Sequence, residues 1–202
     1  ETVAKEQKLI DFYLTGGTAL AAHYLQHRIS DDLDFFTPKE PDKIFLHEFA
    51  GRLKELLAAK KVRYERLFDR NQFFFQINGS ELKIEFAKYP FTQLEKPAIH
   101  DGLRVDSLRD ITANKLMALI DRFDPKDFVD LYFILQQRRL EGIRQDAEKK
   151  FDTKIGNILL GGELAKVRRI EALPKMVKPL TIEELKSFFA KVAKELAPNT
   201  LL

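Results

Sequence analysis

The stretch that decides the fold reads Gly16-Gly17-Thr18-Ala19-Leu20-Ala21 and, further along, Asp32-Leu33-Asp34-Phe35-Phe36. A short apolar approach element, residues 9–14, precedes it. The glycine pair predicts a turn, and the strong helix formers that follow predict a helix to about residue 25. The second segment predicts a short strand that ends at Thr37-Pro38. Because successive side chains of a strand alternate between its faces, Asp32 and Asp34 should point the same way.

The chain continues as a mixture of helix and strand to about residue 105. Residues 44–60 have the apolar spacing of an amphipathic helix, and residues 62–68 alternate as a strand does. Residues 73–77 and 82–86 flank Asn78-Gly79, which predicts a β-hairpin. In the second arm, Lys83 and Glu85 share the polar face.

Beyond residue 105 the pattern becomes helical. Helices are predicted from residue 107, from Asp124-Pro125, over residues 140–151 and after Thr181, with a break at Gly161-Gly162. We therefore predict an α+β fold with two domains, a core over residues 1–105 and a helical domain over residues 106–202. The core should contain a mixed sheet with flanking helices.

Composition limits the class of protein. Hydrophobic residues make up 45% and charged residues 32% of the 202 residues, as in soluble globular proteins. Cysteine is absent, which excludes disulfides and thiolate metal sites and fits a reducing cytoplasm. No apolar run is long enough to span a membrane, and the first residues lack a signal-peptide core. The absence of an initial Met predicts a trimmed or partial chain.

The net charge of +3 permits an acidic partner but does not require one, because 34 Lys and Arg nearly balance 31 Asp and Glu. Coating of a nucleic-acid duplex usually needs a larger imbalance.

Asp32 and Asp34 are the first candidates for chemistry. Two carboxylates that face one point repel each other unless a cation lies between them, and such hard oxygen ligands suit Mg²⁺ or Mn²⁺. The alternative is a solvated strand edge. Gly16 and Gly17 could hold phosphate oxygens with Thr18 as an added donor, or they could form an ordinary tight turn. Glu85 is the candidate third acid of a two-metal site, with a cross-strand ion pair to Lys83 or a neighbour as its alternative.

These segments resemble the signature of the AbiEii/AbiGii toxin family of nucleotidyltransferases. The first block is Gly16–Ala21, His27-Arg28-Ile29-Ser30 and Asp32–Phe36; the second is Asp110-Ile111, Lys115–Leu119, Arg122 and Lys126–Tyr132. The resemblance covers roughly residues 12 to 135. The spacer from Gly17 to Asp32 is about one residue longer than the family pattern.

The resemblance implies a core like that of the DNA polymerase beta superfamily, with an added helical domain. It implies transfer of a nucleoside monophosphate from an NTP, with pyrophosphate leaving. Asp32 and Asp34 would then bind the metal ions, and Gly16, Gly17 and Thr18 would meet the phosphates. Lys115 would contact the triphosphate, and Asp127 would be a further active-site acid. Arg28 and Ser30 are also candidates for nucleotide binding.

Several of these residues have structural alternatives. Lys115 could be solvated, and Asp127 could stabilise the first turn of its helix. Asp130 could pair with a nearby Arg or Lys, and Arg28 could bind a phosphate or hold the Asp32 loop through an ion pair.

The predicted acceptor is an RNA, for example a tRNA, or a protein hydroxyl, and the predicted partner is a cognate antitoxin. The alternative function is a catalytically degenerate module of the same fold that binds nucleotide or a partner without turnover.

Overall fold

The computed structural model describes residues 2–196. Its seven strands form a single mixed sheet in the order β3-β4-β5-β2-β1-β7-β6. The strands are β1 (Tyr13–Thr15), β2 (Leu33–Thr37), β3 (Lys61–Leu67), β4 (Arg70–Ile77), β5 (Ser80–Lys88), β6 (Ala98–His100) and β7 (Leu103–Val105).

The helices account for most of the remaining chain. They are α1 (Gly16–Ala19), α2 (Lys43–Leu56), α3 (Leu108–Asp121), α4 (Pro125–Leu135), α5 (Leu140–Phe151), α6 (Asn157–Ala165) and α7 (Ile182–Leu196). A π-helical segment, Leu20–Leu25, continues directly from α1. Short 3-10 helices lie at Gln7–Leu9 and Lys166–Arg169. The predicted α+β class and mixed sheet are confirmed. None of the helices within residues 2–196 combines the length and apolar character that a membrane crossing needs.

The chain divides into two compact units. Among the described residues, the sheet unit comprises residues 2–19, 30–91 and 96–107 and contains all seven strands, and the helical unit comprises residues 20–29, 92–95 and 108–196. The change near residue 107 lies close to the predicted domain boundary. Two earlier segments, residues 20–29 and 92–95, also belong to the helical unit.

Aromatic side chains form the core of the sheet unit. Phe35 of β2 stacks on Phe86 of β5 with ring centroids 5.4 Å apart, and Phe49 of α2 meets the same ring at 6.2 Å. The helix α2 begins where the Asp42 carboxylate accepts a hydrogen bond from the Phe45 amide. This packing fixes one face of β2 and leaves Asp32 and Asp34 to the other.

Local signals in the sequence set most element boundaries. Asn78 and Gly79 both have positive φ, 48° and 84°, as a two-residue hairpin turn of this kind requires. Asp124 caps α4 by accepting a hydrogen bond from the Lys126 amide, with Pro125 in the first turn. The Thr181 hydroxyl and the Glu184 carboxylate cap α7 reciprocally. The predicted break at Gly161-Gly162 is wrong, because both residues lie inside α6.

Candidate active site

The glycine turn lies directly against the carboxylate of Asp34. Strands β1 and β2 pair antiparallel with Thr15 opposite Asp34, and Gly16 follows with a φ of +70°. A Cβ atom on Gly16 would lie 2.5 Å from Asp34 Oδ2. A side chain is therefore excluded at this position both by backbone conformation and by the carboxylate.

Thr18 joins the same turn to the start of β2. Its hydroxyl donates a short hydrogen bond to the main-chain carbonyl of Asp32 and lies 3.4 Å from that of Ser30. The segments Gly16–Thr18 and Ser30–Asp34, which the sequence singled out separately, are thus held together. Ser30 takes part here through its carbonyl oxygen.

The third candidate acid stands opposite Asp34 in the sheet. Strands β2 and β5 run parallel, with Asp34 in register with Glu85. The Lys83 ammonium lies among all three acids: 3.4 Å from Asp32 Oδ2, 3.7 Å from Asp34 Oδ1 and 3.7 Å from Glu85 Oε2. The three carboxylates therefore surround one positive charge.

Glu85 is held by further partners. Its side chain is fully buried, and its two oxygens accept hydrogen bonds from Arg70 Nε at 2.6 Å and Nη2 at 2.8 Å. Gln72 Nε2 donates a third at 2.8 Å. A bidentate guanidinium of this kind fixes the position of the carboxylate. The ion pair that the sequence offered as the alternative for Glu85 is present, with Arg70 in addition to Lys83.

The environment of Asp34 disfavours its ionised form. Burial raises the pKa of the Asp34 carboxyl, the charges of Glu85 and Asp32 raise it further, and Lys83 and Arg70 oppose them. A cation placed among the three carboxyls would therefore stabilise the ionised form of Asp34.

Asp32 and Asp34 offer the oxygen ligands that Mg²⁺ or Mn²⁺ prefers, on one face and 3.4 to 3.7 Å from a shared cation. They fit a divalent ion as a pair. Within residues 2–196, no group of three or more His, Asp and Glu side chains is arranged to hold a metal ion. Glu85 as third ligand stays a prediction, and to bind a metal it would have to exchange a present partner.

The second set of predicted site residues forms a buried charge network in the helical unit. Lys115 of α3 donates to Asp127 Oδ1 at 2.8 Å and lies 2.6 Å from Asp130 Oδ2. Arg28 binds Asp130 through Nε at 2.6 Å and Nη2 at 2.9 Å, and His27 Nε2 lies 2.7 Å from Asp130 Oδ1. Asp130 is therefore the centre of this network.

In this network, charge pairing has a larger effect on the pKa values than burial does. Burial alone would raise the pKa of Asp130, but Lys115, Arg28 and His27 hold it well below its usual range. Burial likewise would lower the pKa of Lys115, and Asp130 and Asp127 raise it instead. Lys115 is therefore a charged, buried and paired side chain rather than a solvated one.

The structure also explains the alternatives for Asp127 and Arg28. Asp127 lies in the first turn of α4, and its second oxygen accepts a hydrogen bond from Arg122 Nε at 3.0 Å. Arg28 pairs with Asp130 in the same unit. The catalytic and nucleotide-binding roles of Lys115, Asp127, Arg28 and Ser30 stay predictions.

Sequence reasoning missed Arg70 and Gln72. Once the hairpin turn is placed at Asn78-Gly79, the pairing of Ile77 with Ser80 brings Gln72 opposite Glu85. Arg70, two residues earlier on β4, then lies on the same face as Gln72. The register of the predicted hairpin would thus have found both partners of Glu85.

Comparison with known proteins places the chain by sequence. The family described as "Nucleotidyl transferase AbiEii toxin, Type IV TA system" matches residues 2–200. An uncharacterized protein of Aquifex aeolicus (strain VF5) is 30% identical over 193 residues, which cover 94% of this chain and 89% of that protein.

Solved structures of nucleotidyltransferases share the fold. A candidate nucleotidyltransferase from Helicobacter pylori superposes with a TM-score of 0.65 at 19% identity, covering 96% of this chain and 90% of that one. The nucleotidyltransferase toxin MenT4 from Mycobacterium tuberculosis superposes with a TM-score of 0.57 at 17% identity, over 93% and 75% of the two chains. At these identities the likeness shows the fold.

Proposed function

Because the chain belongs to the AbiEii family of nucleotidyltransferase toxins, we propose that it transfers a nucleoside monophosphate from an NTP to an RNA or protein hydroxyl. One observation carries the proposal: Asp32 and Asp34 face a single cation position beside the Gly16–Thr18 turn, with Glu85 at 3.7 Å from the same position. Two carboxylates beside such a turn are suited to a divalent ion that carries a triphosphate.

In the proposed reaction an acceptor hydroxyl attacks the α-phosphorus in line and gives its proton to solvent, while the bond to the bridging oxygen breaks and pyrophosphate leaves. Asp32 and Asp34 would hold Mg²⁺, which would supply neutralisation of charge on the triphosphate. Gly16 keeps the backbone close to Asp34, and Thr18 holds the main chain at Asp32, directly before the strand that carries Asp34. Arg70 and Gln72 hold Glu85 as the third acid beside them.

Lys115, Asp127, Arg28 and Ser30 complete the proposal on the strength of the family resemblance. Lys115 is proposed to meet the triphosphate, and Asp127, its buried partner at 2.8 Å, to orient the ammonium. Arg28 and Ser30 are proposed to contact the nucleotide. As a toxin, the protein is proposed to act against growth and to have a cognate antitoxin as partner.

The test is to incubate the full chain with each of the four labelled NTPs, Mg²⁺, and total cellular RNA or protein, and to identify what becomes labelled. We expect label to enter one acceptor class, with release of pyrophosphate. Asp32→Asn and Asp34→Asn should each abolish labelling. Asp31→Asn is the matched control, since Asp31 is the exposed neighbour of the pair and its change should leave labelling intact.

Two outcomes would contradict the proposal. Labelling that survives in Asp34→Asn would separate the activity from these acids. Binding of Mg²⁺ and NTP without pyrophosphate release from any acceptor would favour the alternative, a degenerate binding module.

A further inference from the structure

The proposed reaction assigns no role to Lys83, although its ammonium occupies the centre of the acid cluster. Lys83 and Glu85 lie two residues apart on β5 and share a face, which aims the lysine at Asp34 of the neighbouring strand β2 and at Asp32 directly before it. The ammonium lies within 3.7 Å of an oxygen from each acid. It lies where a cation bound to Asp32 and Asp34 would have to go.

The charges of the cluster show what Lys83 does there. The three carboxylates carry three negative charges, of which the Arg70 guanidinium offsets one through its two hydrogen bonds to Glu85. Lys83 offsets a second. A divalent ion arriving at Asp32 and Asp34 therefore meets a net charge of about minus one instead of minus two.

Arg70 and Lys83 differ in how easily their side chains can move away from the three carboxylates. Arg70 is a planar fork with two hydrogen bonds to one carboxylate, which holds it in place. Lys83 makes three ion pairs of 3.4 to 3.7 Å, longer than a charge-assisted hydrogen bond, on a flexible stem that is 20% exposed. Lys83 can move toward solvent without disturbing the strand.

We propose that Lys83 is a resident cation of the metal site, which a divalent ion must displace from Asp32 and Asp34. Lys83 balances the three acids when no metal is bound and thereby weakens the binding of metal alone. It is a positioning residue that sets the metal affinity of the site. The inference rests on the proposed function for the identity of the site, but its test does not require turnover.

The test measures Mn²⁺ binding to the full chain without nucleotide, by the electron paramagnetic resonance signal of free Mn²⁺. Lys83→Met should bind Mn²⁺ about tenfold more tightly than the wild type, because one nearby positive charge is gone. Lys83→Arg keeps the charge and should stay close to the wild type. Lys88→Met is the matched control: it removes the same charge from the same strand, but from a lysine that pairs with Glu40 at 3.3 Å.

Further variants locate the bound ion. Adding Asp34→Asn to Lys83→Met should remove the gain in affinity, and Mn²⁺ should raise the melting temperature of Lys83→Met more than that of the wild type. If Lys83→Met does not fold, Lys83→Gln serves in its place. Unchanged or weaker Mn²⁺ binding in the lysine variant, or no binding in any variant, would overturn the inference, as would a gain that survives Asp34→Asn.

The two proposals fail separately. Tighter Mn²⁺ binding by Lys83→Met with no labelling by the wild type would remove the proposed function and leave the role of Lys83. Labelling by the wild type with unchanged Mn²⁺ affinity in Lys83→Met would do the reverse.

Discussion

Gly16 has a left-handed backbone conformation and lies directly against the Asp34 carboxylate. A methyl group at this position therefore tests the backbone conformation and the placement of the carboxylate together. Gly16→Ala would place Cβ 2.5 Å from Asp34 Oδ2, so the carboxylate must move. Alanine at a φ of +70° also costs about 1–2 kcal/mol. We expect a small loss of stability and a large loss of nucleotidyl transfer, measured by chemical unfolding and by labelling with NTP.

Gly51→Ala is the control for this substitution. Gly51 lies in α2, and a Cβ atom there meets nothing within 4 Å. Alanine in a helix interior should stabilise the protein by about 0.5–1 kcal/mol and leave transfer unchanged. Full activity in Gly16→Ala would mean that the position of the Asp34 carboxylate does not matter to the reaction.

The predictability of the site differs from residue to residue. The shared face of Asp32 and Asp34 and the polar face of Glu85 follow from strand alternation, which is local. That Lys83 lies among all three acids depends on β2 and β5 being neighbours and parallel, with residues 38–79 between them in the chain. No local pattern encodes that pairing.

At the scale of elements, the Asp130 network links α3, α4 and the segment after the π-helix inside the helical unit. Asp130→Asn would leave Lys115 and Arg28 buried with less opposing charge. Breaking a buried ion pair from one side costs about 3–5 kcal/mol. We expect a loss of that order in the free energy of unfolding, measured with urea. Asp152→Asn is the control, because Asp152 is exposed and asparagine suits its left-handed φ of 47°. An equal loss of stability in Asp152→Asn would contradict the stabilising role of the Asp130 ion pairs.

The same network predicts an acid dependence. The folded state lowers the pKa of Asp130, so its contribution is present above the unfolded pKa of about 3.9. It is lost as the pH falls below that value, at about 1.4 kcal/mol per pH unit. We expect the stability difference between the wild type and Asp130→Asn to shrink as the pH is lowered from 5 to about 2. A constant difference over that range would show that folding does not lower the pKa of Asp130.

The ends of helices and strands were predictable from the sequence where a cap or a turn marks them. They were not predictable where contacts with a neighbouring element determine whether a helix continues. Thr181 and Glu184 define the start of α7 through their own hydrogen bonds. Gly161 instead lies inside α6 where that helix packs on α7: a Cβ atom there would be in ordinary van der Waals contact, 3.7 Å from the Ala193 carbonyl oxygen. Two glycines in sequence suggested a break, but the helix continues through both.

The spacer between Gly17 and Asp32, which the family resemblance predicts to be about one residue longer than usual, contains the π-helical segment. The Gln26 amide bonds the Ala21 carbonyl at 3.0 Å, five residues back, where an α-helix would bond four back. A π turn therefore takes in one more residue than an α turn. Gln26 then adopts a left-handed φ of 49° and ends the segment.

At the scale of the whole molecule, the sequence indicated the change from mixed to helical structure near residue 105. It did not indicate which earlier segments belong to the helical unit. Residues 20–29 and 92–95 belong to the helical unit although they lie within the first 105 residues. Arg28 and His27 explain the first case, since their buried partner Asp130 lies on α4. An ion pair between residues 102 positions apart leaves no local trace in a single sequence.

If the protein binds an NTP as proposed, binding should raise the melting temperature of the whole chain. A ligand that binds only the folded state at 100 times its Kd adds about 2.7 kcal/mol, which raises the melting temperature of a chain this size by about 5–10 °C. With Mg²⁺ and a saturating NTP we therefore expect a rise of that size for the preferred base and smaller rises for the other three. Removal of Mg²⁺ with EDTA, or Asp34→Asn, should abolish the rise, because in the proposed site the triphosphate would bind through a metal ion held by Asp32 and Asp34. A rise that persists in EDTA would place nucleotide binding away from these acids and contradict the proposed site.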